Sequence, residues 1–166
     1  EVATHLTEGK AQDQVKQSHA IARLLLTDVR EAVSQMRGEG AINLGSAIRT
    51  LVEGLPSLKV ELDIAEHFGL DDAERAQVLL RCAQEIITNA LRHACARHLW
   101  LSMKNEGGLL RLSARDDGRG AGEAIPGNGL RGMRERLAEF DGKLDIETAP
   151  GQGFSLTLTL PLESRA

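Results

Sequence analysis

The fold is decided by the stretch HLWLSMKNEGGLLRLSARDDGRG, which spans residues 98–120. Two runs within it, 98–104 and 109–115, alternate apolar and polar residues, a pattern typical of β-strands with one buried face. The NEGG segment between the runs predicts a hairpin loop that joins two antiparallel strands. The DDGRG segment follows the second strand directly, and its glycines permit tight turns and a close approach of the backbone to other groups.

Three more strands are predicted outside this hairpin. LKVELDI (58–64), KLDIET (143–148) and FSLTLTLPL (154–162) each alternate in the same way. The last two are joined by a short glycine-containing loop and therefore form a second hairpin. Hairpin-linked strands interspersed with helices predict the α+β class, with a mixed, largely antiparallel sheet and helices on one face.

Three helices are predicted around these strands. Asn43 is a suitable N-cap for a short helix, and Asp71 with Glu74 forms a capping pattern before a long helix over about 72–95. The segment GNGLRGMRERLAEF (127–140) begins as a loop and continues as a helix. The buried stripe of the long helix is expected to contain Leu79, Ala83, Ile86 or Ile87, Ala90 and Ala94.

The N-terminal part of the chain has a different pattern. Residues 11–37 predict one helix with an apolar seam that recurs every seven residues. The seam contains Val15, Ala22, Val29 and Met36. Such a helix needs a partner, which is either a second helix of a dimeric bundle or the chain's own domain. We therefore divide the chain into a helical region, 1–38, and an α+β body, 39–166.

Composition excludes several classes of function. The 166 residues carry a net charge of −4 and only 2% aromatic residues, which argues against direct nucleic-acid binding by phosphate neutralisation or base stacking. No apolar run approaches the roughly 20 residues of a membrane span. The two cysteines, Cys82 and Cys95, form no disulfide framework, so a cytoplasmic location is expected. Because the chain begins at Glu1 and not at Met, we expect it to be part of a longer protein.

The long helix carries a row of polar residues beside its apolar stripe. Glu85, Asn89 and His93 lie four residues apart and share one helical face. Carboxylate and carboxamide oxygens suit Mg²⁺, which takes one or two protein ligands and leaves its other positions to water and phosphate. Taken alone, the row is better interpreted as an ordinary polar flank of the helix.

Two glycine segments extend this hypothesis. Asp116 stands at the end of a predicted strand, where its carboxylate can accept a hydrogen bond from an exocyclic amine. GNGLRG (127–132) matches G-x-G-x-x-G but does not follow a strand, which excludes the dinucleotide-binding fold. It remains a glycine loop that leads into a helix N-terminus, whose N–H groups favour phosphate.

In this order and spacing, the segments resemble the Bergerat-fold ATPases, which include gyrase, mismatch-repair ATPases and sensor histidine kinases. QEIITNALRHA (84–94) looks like the kinase N box, and DDGRG and GNGLRGMRERL look like the two glycine boxes. The G-L-x-G-M-x-E-R form is similar to the histidine kinases of the NarL/DesK-like group. DVREAVSQMRG (28–38) resembles the end of the second dimerisation helix of that group. The resemblance thus implies a Bergerat fold preceded by a long dimerisation helix, with a partial phosphotransfer region in 1–38.

The resemblance also implies roles for the polar row. Asn89 would be the Mg²⁺ ligand, and Glu85 would be the catalytic residue that holds metal-bound water or assists proton transfer. Arg92 and His93 would approach the phosphates of ATP.

The glycine boxes would hold the rest of the nucleotide. Asp116 would bind the adenine amine, with Gly118 and Gly120 shaping that wall of the site. The ATP lid and its hinge would be formed by Gly127, Gly129, Leu130, Gly132 and Met133.

Two departures from the family pattern stand out. The five histidines are followed by Leu, Ala, Phe, Ala and Leu, so none has the acidic neighbour of a phosphoacceptor histidine. The phosphoacceptor helix is therefore expected to be missing from this chain. A threonine usually follows the final glycine and contacts adenine, whereas Phe154 stands here. The lid between Gly120 and Gly127 is also short.

The expected function is the ATP-binding catalytic region of a two-component sensor histidine kinase. The intact protein would be a homodimer that phosphorylates its own histidine and passes the phosphoryl group to an aspartate of a NarL/LuxR-type response regulator. This chain alone is expected to bind Mg²⁺ and ATP without autophosphorylating. The sequence leaves open whether the intact protein is anchored in the inner membrane. The alternatives are a hydrolytic Bergerat-fold ATPase with Glu85 as general base, and a non-catalytic interaction module with a decayed nucleotide site.

Overall fold

The computed structural model describes the α+β body almost completely. It covers residues 42–53, 55, 57–121 and 127–162, together with helical residues at 12, 14–16, 18, 19 and 22. The helix predicted over 11–37 lies largely outside the described residues, as does the proposed boundary at 38, and both stay predictions.

A five-stranded sheet forms one layer of the molecule. Its strands are β2 (Lys59–Ile64), β4 (His98–Glu106), β5 (Leu109–Asp116), β6 (Lys143–Thr148) and β7 (Phe154–Pro161). They lie in the order β2-β4-β5-β7-β6, with β2 and β4 parallel and the other neighbouring pairs antiparallel. The predicted mixed, largely antiparallel sheet is therefore confirmed. Both predicted hairpins are present, and the first turns at Gly107 and Gly108, whose φ angles are positive.

The helices cover one face of this sheet with their apolar sides. They are α1 (Leu44–Val52), α2 (Ala73–Asn89) and α3 (Asn128–Ala138). The stripe predicted for the long helix is buried as expected, and it joins the inward-facing leucines of the strands in one core. That core is aliphatic, because the chain contains only three Phe, one Trp and no Tyr. The single Trp, Trp100, is exposed on the opposite face of the sheet.

The helix N-termini confirm one predicted cap and correct another. The side chain of Asn43 accepts a hydrogen bond from the backbone N–H of Ser46 at 3.0 Å, as predicted. The cap of α2 is Asp72 and not Asp71, because Asp72 has the extended backbone from which its carboxylate reaches the N–H groups of Glu74 and Arg75. The capping pattern identified the helix start but placed the cap one residue early.

Two features have no counterpart in the predictions. Residues Ala90–Ala94 continue α2 as a π-helical turn, which ends at Cys95 in the left-handed conformation with φ 50°. Such turns are uncommon and are frequent at functional sites. A two-stranded sheet pairs β1 (Ile42–Asn43) with β3 (Gly69–Leu70), and strands this short carry no periodic signal. Among the described residues, no helix is long and apolar enough to cross a membrane.

Candidate nucleotide site

One cavity of about 520 Å³ lies between α2, the end of β5 and the start of α3. Its volume is within the range of small-molecule sites. Nine of the twelve predicted site residues line it, which places the three sequence segments around one space. These nine are Glu85, Asn89, Arg92, His93, Asp116, Gly120, Gly127, Gly129 and Leu130.

Asp116 lines the cavity at the point where β5 ends. Its side chain is 5% exposed, and Oδ1 accepts hydrogen bonds from the N–H groups of Gly118 at 2.8 Å and Phe154 at 3.3 Å. Burial raises the pKa of this carboxyl, although the two backbone donors oppose that shift. A buried acceptor at the end of an apolar cavity is suited to recognising an amine of a planar ligand.

The next residue, Asp117, ties the DDGRG loop to the start of β4. Its Oδ1 accepts from the N–H groups of Arg97 at 2.8 Å and His98 at 2.9 Å, and Oδ2 lies 2.9 Å from Nδ1 of His98. The His98 N–H and ring, with the Arg97 N–H, lower the pKa of Asp117 to about 2. The first aspartate of DDGRG therefore faces the cavity, while the second anchors the loop.

Glycines are required beside Asp116 because other backbone atoms approach closely. A Cβ on Gly153, which has φ +74°, would lie 2.1 Å from the carbonyl oxygen of Asp116. A Cβ on Gly118 would lie 2.5 Å from Cβ of Ala94, at the end of the π-helical turn. Gly118 therefore does not line the cavity but allows the loop to pack against α2.

The α2 side of the cavity holds the polar row. Glu85 and Asn89 are half-buried, whereas Arg92 and His93 on the π-helical turn are exposed. No group of three or more His, Cys, Asp or Glu side chains in the described part of the chain could hold a metal ion. Glu85 and Asn89 supply oxygen donors suited to Mg²⁺ that also keeps water and phosphate ligands.

The first turn of α3 forms the opposite wall and contacts α2. Gly127 is the N-cap of α3 and makes no side-chain cap hydrogen bond. Oε1 of Glu85 lies 1.7 Å from the position that a Cβ on Gly129 would occupy, so the carboxyl group packs directly on this glycine.

The last two predicted residues lie away from the cavity. Met133 is 0% exposed and belongs to the hydrophobic core, because it shares a helical face with Leu137. Gly132 is one residue earlier and does not line the cavity either. The lid itself, residues 122–126, lies outside the described residues.

Several cavity residues were not predicted. The apolar floor is formed by Ile86, Leu99, Ala114 and Leu156. The alternation of the strands indicates that these side chains face inward, but only the register, with Leu99 opposite Asp116 and Ala114 opposite Leu156, shows which of them lie beside the site. Arg119 also lines the cavity, and its N–H donates to the carbonyl of Ala94 at 2.9 Å.

Phe154, the departure from the family pattern, lies in the cavity wall. Its backbone N–H donates a hydrogen bond to Oδ1 of Asp116, although its side chain lacks the hydroxyl of the threonine that the family pattern has here. A hydroxyl is present across the hairpin on Thr148, which is paired with Phe154. Oγ1 of Thr148 accepts from the N–H of Ala121 at 2.9 Å and donates to the carbonyl of Gly153 at 3.0 Å.

Similarity to known proteins agrees with this geometry. Residues 74–164 match the family described as "Histidine kinase-, DNA gyrase B-, and HSP90-like ATPase". Sensor histidine kinase YxjM of Bacillus subtilis is 35% identical over 151 residues, which cover 86% of this chain and 36% of that protein. Sensor histidine kinase DesK of the same organism is 29% identical over 168 residues, which cover 94% of this chain and 42% of that protein. The chain thus spans less than half the length of these relatives.

Solved structures show the same fold. The histidine kinase domain of the Erythrobacter litoralis EL346 blue-light activated histidine kinase superposes with a TM-score of 0.68 at 21% identity, covering 96% of this chain and 91% of that one. The catalytic domain of histidine kinase ThkA gives a TM-score of 0.60 at 16% identity, covering 74% of this chain and 93% of that one. With the matched family covering both glycine segments and the Asn89 helix, the chain belongs to the histidine kinase-, DNA gyrase B- and HSP90-like ATPases.

Proposed function

We propose that this chain is the ATP-binding catalytic region of a two-component sensor histidine kinase. The observation that carries the proposal is that Asn89 and Asp116, which are distant in sequence, line one cavity of nucleotide-compatible size. The named relatives support the kinase branch of the family, since YxjM and DesK are sensor histidine kinases.

In this proposal, the two ends of the cavity recognise different parts of Mg·ATP. Asp116 accepts a hydrogen bond from the adenine amine, and the apolar floor packs against the base. Asn89 is the metal ligand, with Glu85 beside it. Arg92 and His93, with the first turn of α3, face the phosphates. When bound, Mg²⁺ neutralises part of the triphosphate charge.

These groups suit phosphoryl transfer, which depends mainly on positioning and charge neutralisation. Asp116 and the glycines around it fix the base, so that the phosphates extend toward α2 and α3. Glu85 is the group placed to hold metal-bound water or to assist proton transfer. The lid role of Gly127, Gly129, Leu130, Gly132 and Met133 belongs to the same proposal, although the last two lie outside the cavity.

Calorimetric titration with Mg·ATP tests the assignment at both ends of the cavity. Asn89→Ala should abolish Mg²⁺-dependent binding. Asp116→Asn should weaken binding roughly tenfold to a hundredfold, because hydrogen bonds to charged groups contribute about 1.5–3 kcal/mol. Asn105→Ala, near the end of β4 and outside the residues that line the cavity, is the matched control and should bind normally. Wild-type affinity in both site variants would remove the assignment.

The partners of the intact protein are also part of the proposal. The intact protein would act as a homodimer and transfer the phosphoryl group from its histidine to an aspartate of a NarL/LuxR-type response regulator. This chain alone should bind ATP without labelling itself, because no histidine in it is followed by an acidic residue. Incubation with γ-labelled ATP tests this, and acid-labile phosphate on the chain would contradict it. Steady turnover of ATP that is lost in Glu85→Ala would instead favour the hydrolytic alternative.

A further inference from the structure

One wall of the cavity is formed where two loop segments meet. Residues 119–121, at the end of the DDGRG loop and directly after it, line the cavity. They contact the β6–β7 turn, which consists of residues 149–153. The N–H of Gly151 donates to the carbonyl of Arg119 at 2.7 Å, and a Cβ on Gly120 would lie 2.0 Å from a carbonyl oxygen of this turn. The position of the wall therefore depends on how the two segments are held together.

Thr148, the last residue of β6, joins these two segments through its hydroxyl group. Leu144 and Ile146 pack against the core, and alternation puts position 148 on the same face of the strand. An apolar residue is expected there, but a half-buried threonine occupies the position. Its Oγ1 accepts a hydrogen bond from the N–H of Ala121 at 2.9 Å and donates one to the carbonyl of Gly153 at 3.0 Å. One side chain thus bonds to both segments.

The β6–β7 turn is also next to the carboxylate of Asp116. The backbone of Gly153 packs closely on that of Asp116, and the N–H of Phe154, the next residue, donates to Oδ1 of Asp116 at 3.3 Å. A shift of Gly153 therefore moves the donor that holds this carboxylate. Thr148 is not one of the residues that line the cavity, so its hydroxyl affects the site through the backbone of its neighbours.

We propose that Thr148 is a positioning residue for nucleotide binding. Its hydroxyl holds residues 119–121 against Gly153 and thereby fixes both the cavity wall and the carboxylate of Asp116. Ala121 is exposed, so water can replace the hydroxyl as its hydrogen-bond partner, and the fold persists without it while the wall is held less firmly. This inference rests on the proposed nucleotide function and adds to it a residue outside the cavity.

The test compares Thr148→Val, which keeps the shape of the side chain without its hydroxyl, with Thr148→Ser, which keeps the hydroxyl. In calorimetric titration of the full chain, Thr148→Val should raise the dissociation constant of Mg·ATP about threefold to tenfold, because two hydrogen bonds that fix the wall are lost. Thr148→Ser should bind as wild type does. Urea unfolding should give similar unfolding free energies for all three proteins. A merely structural role would lower that free energy and leave the dissociation constant of the folded protein unchanged.

Thr159→Val is the matched control, because Thr159 is a half-buried threonine of β7 on the other face of the sheet from Leu158 and Leu160. It should bind Mg·ATP as wild type does. If Thr148→Val does not fold, Thr148→Ala removes the same hydroxyl and should show the same effect.

Amide hydrogen exchange, followed by NMR without nucleotide, tests the contact itself. The N–H of Ala121 should exchange faster in Thr148→Val than in wild type or Thr148→Ser. Wild-type Mg·ATP affinity in a folded variant without the hydroxyl, or equal weakening in Thr148→Ser, overturns the positioning role and leaves the proposed function standing. Failure of wild type to bind Mg·ATP overturns the proposed function, and the positioning role with it.

Discussion

At the scale of single residues, the two aspartates of DDGRG have different roles: one faces the cavity, and the other holds the loop in position. Asp116 is buried and faces the cavity, whereas Asp117 is exposed and holds the loop to Arg97 and His98. The sequence shows two identical neighbours, and strand alternation alone indicates that they point in opposite directions. Which of the two faces the cavity follows from the inward position of Ala114, two residues earlier.

The low pKa of Asp117 predicts a pH dependence of stability. Its pKa is about 2 in the folded chain, below the value of about 3.9 in an unfolded chain, so the carboxylate stabilises the fold above pH 4. This contribution is lost as the pH falls from about 4 toward 2.

Asp117→Asn removes that contribution, so the unfolding free energy of this variant should depend less on pH in the acidic range. Urea unfolding at pH 5 and pH 3 should show a smaller loss of unfolding free energy in Asp117→Asn than in wild type. Asp145→Asn is a control on β6, because no backbone N–H in the described part of the chain donates to its carboxylate. Equal losses in wild type and Asp117→Asn would show that the carboxylate does not anchor the loop.

At the scale of elements, the start of α3 depends on a contact with α2 that helix propensity does not reveal. The family resemblance implies that Gly127 and Gly129 both belong to the ATP lid and its hinge, but their surroundings differ. A Cβ at Gly127 meets nothing within 4 Å, whereas one at Gly129 meets the carboxyl group of Glu85.

This difference predicts different outcomes for two alanine substitutions. Gly129→Ala requires the flexible carboxyl end of Glu85 to move away from α3, so it should weaken Mg·ATP binding while the melting temperature changes little. Gly127→Ala should leave Mg·ATP binding closer to wild type, because its Cβ has open space and its backbone is in the extended region that any residue adopts. Calorimetric titration with Mg·ATP and thermal melting measure these effects. Equal Mg·ATP affinities of the two variants would contradict the contact.

The π-helical turn at the end of α2 is a second feature that the sequence did not reveal. Hydrophobic periodicity predicted one continuous helix, and its buried stripe is confirmed. The π-helical turn begins at Ala90 and ends at Ala94, which packs against Gly118 and accepts a hydrogen bond from the N–H of Arg119, two residues that follow β5. The turn carries Arg92 and His93, which line the cavity and are exposed.

At the scale of the whole molecule, the described core draws on residues from Ile42 to Leu160. A truncated chain of residues 39–166 should therefore fold alone, melt in one cooperative transition and gain stability from Mg·ATP as the full chain does. Differential scanning calorimetry of the two chains measures this. A truncated chain that does not fold would show that residues 1–38 belong to the same cooperative unit, and the proposed division would be wrong.

Much of this protein follows from the sequence by itself. Alternation within 98–104 and 109–115 determined the hairpin, because side chains of a strand point to its two faces in turn. The helix carrying Asn89 and the glycine segments are equally local, because each depends on residues a few positions apart.

Tertiary structure decided which residues meet. Three examples join segments that are far apart in the chain. Glu85 packs on Gly129, the strand register puts Leu99 beside Asp116, and Met133 lies in the core and not in the cavity. Such contacts depend on how whole elements pack, and local periodicity contains no information about the distance between two elements. The sequence therefore determined the parts of the site, and the fold decided how they face one another.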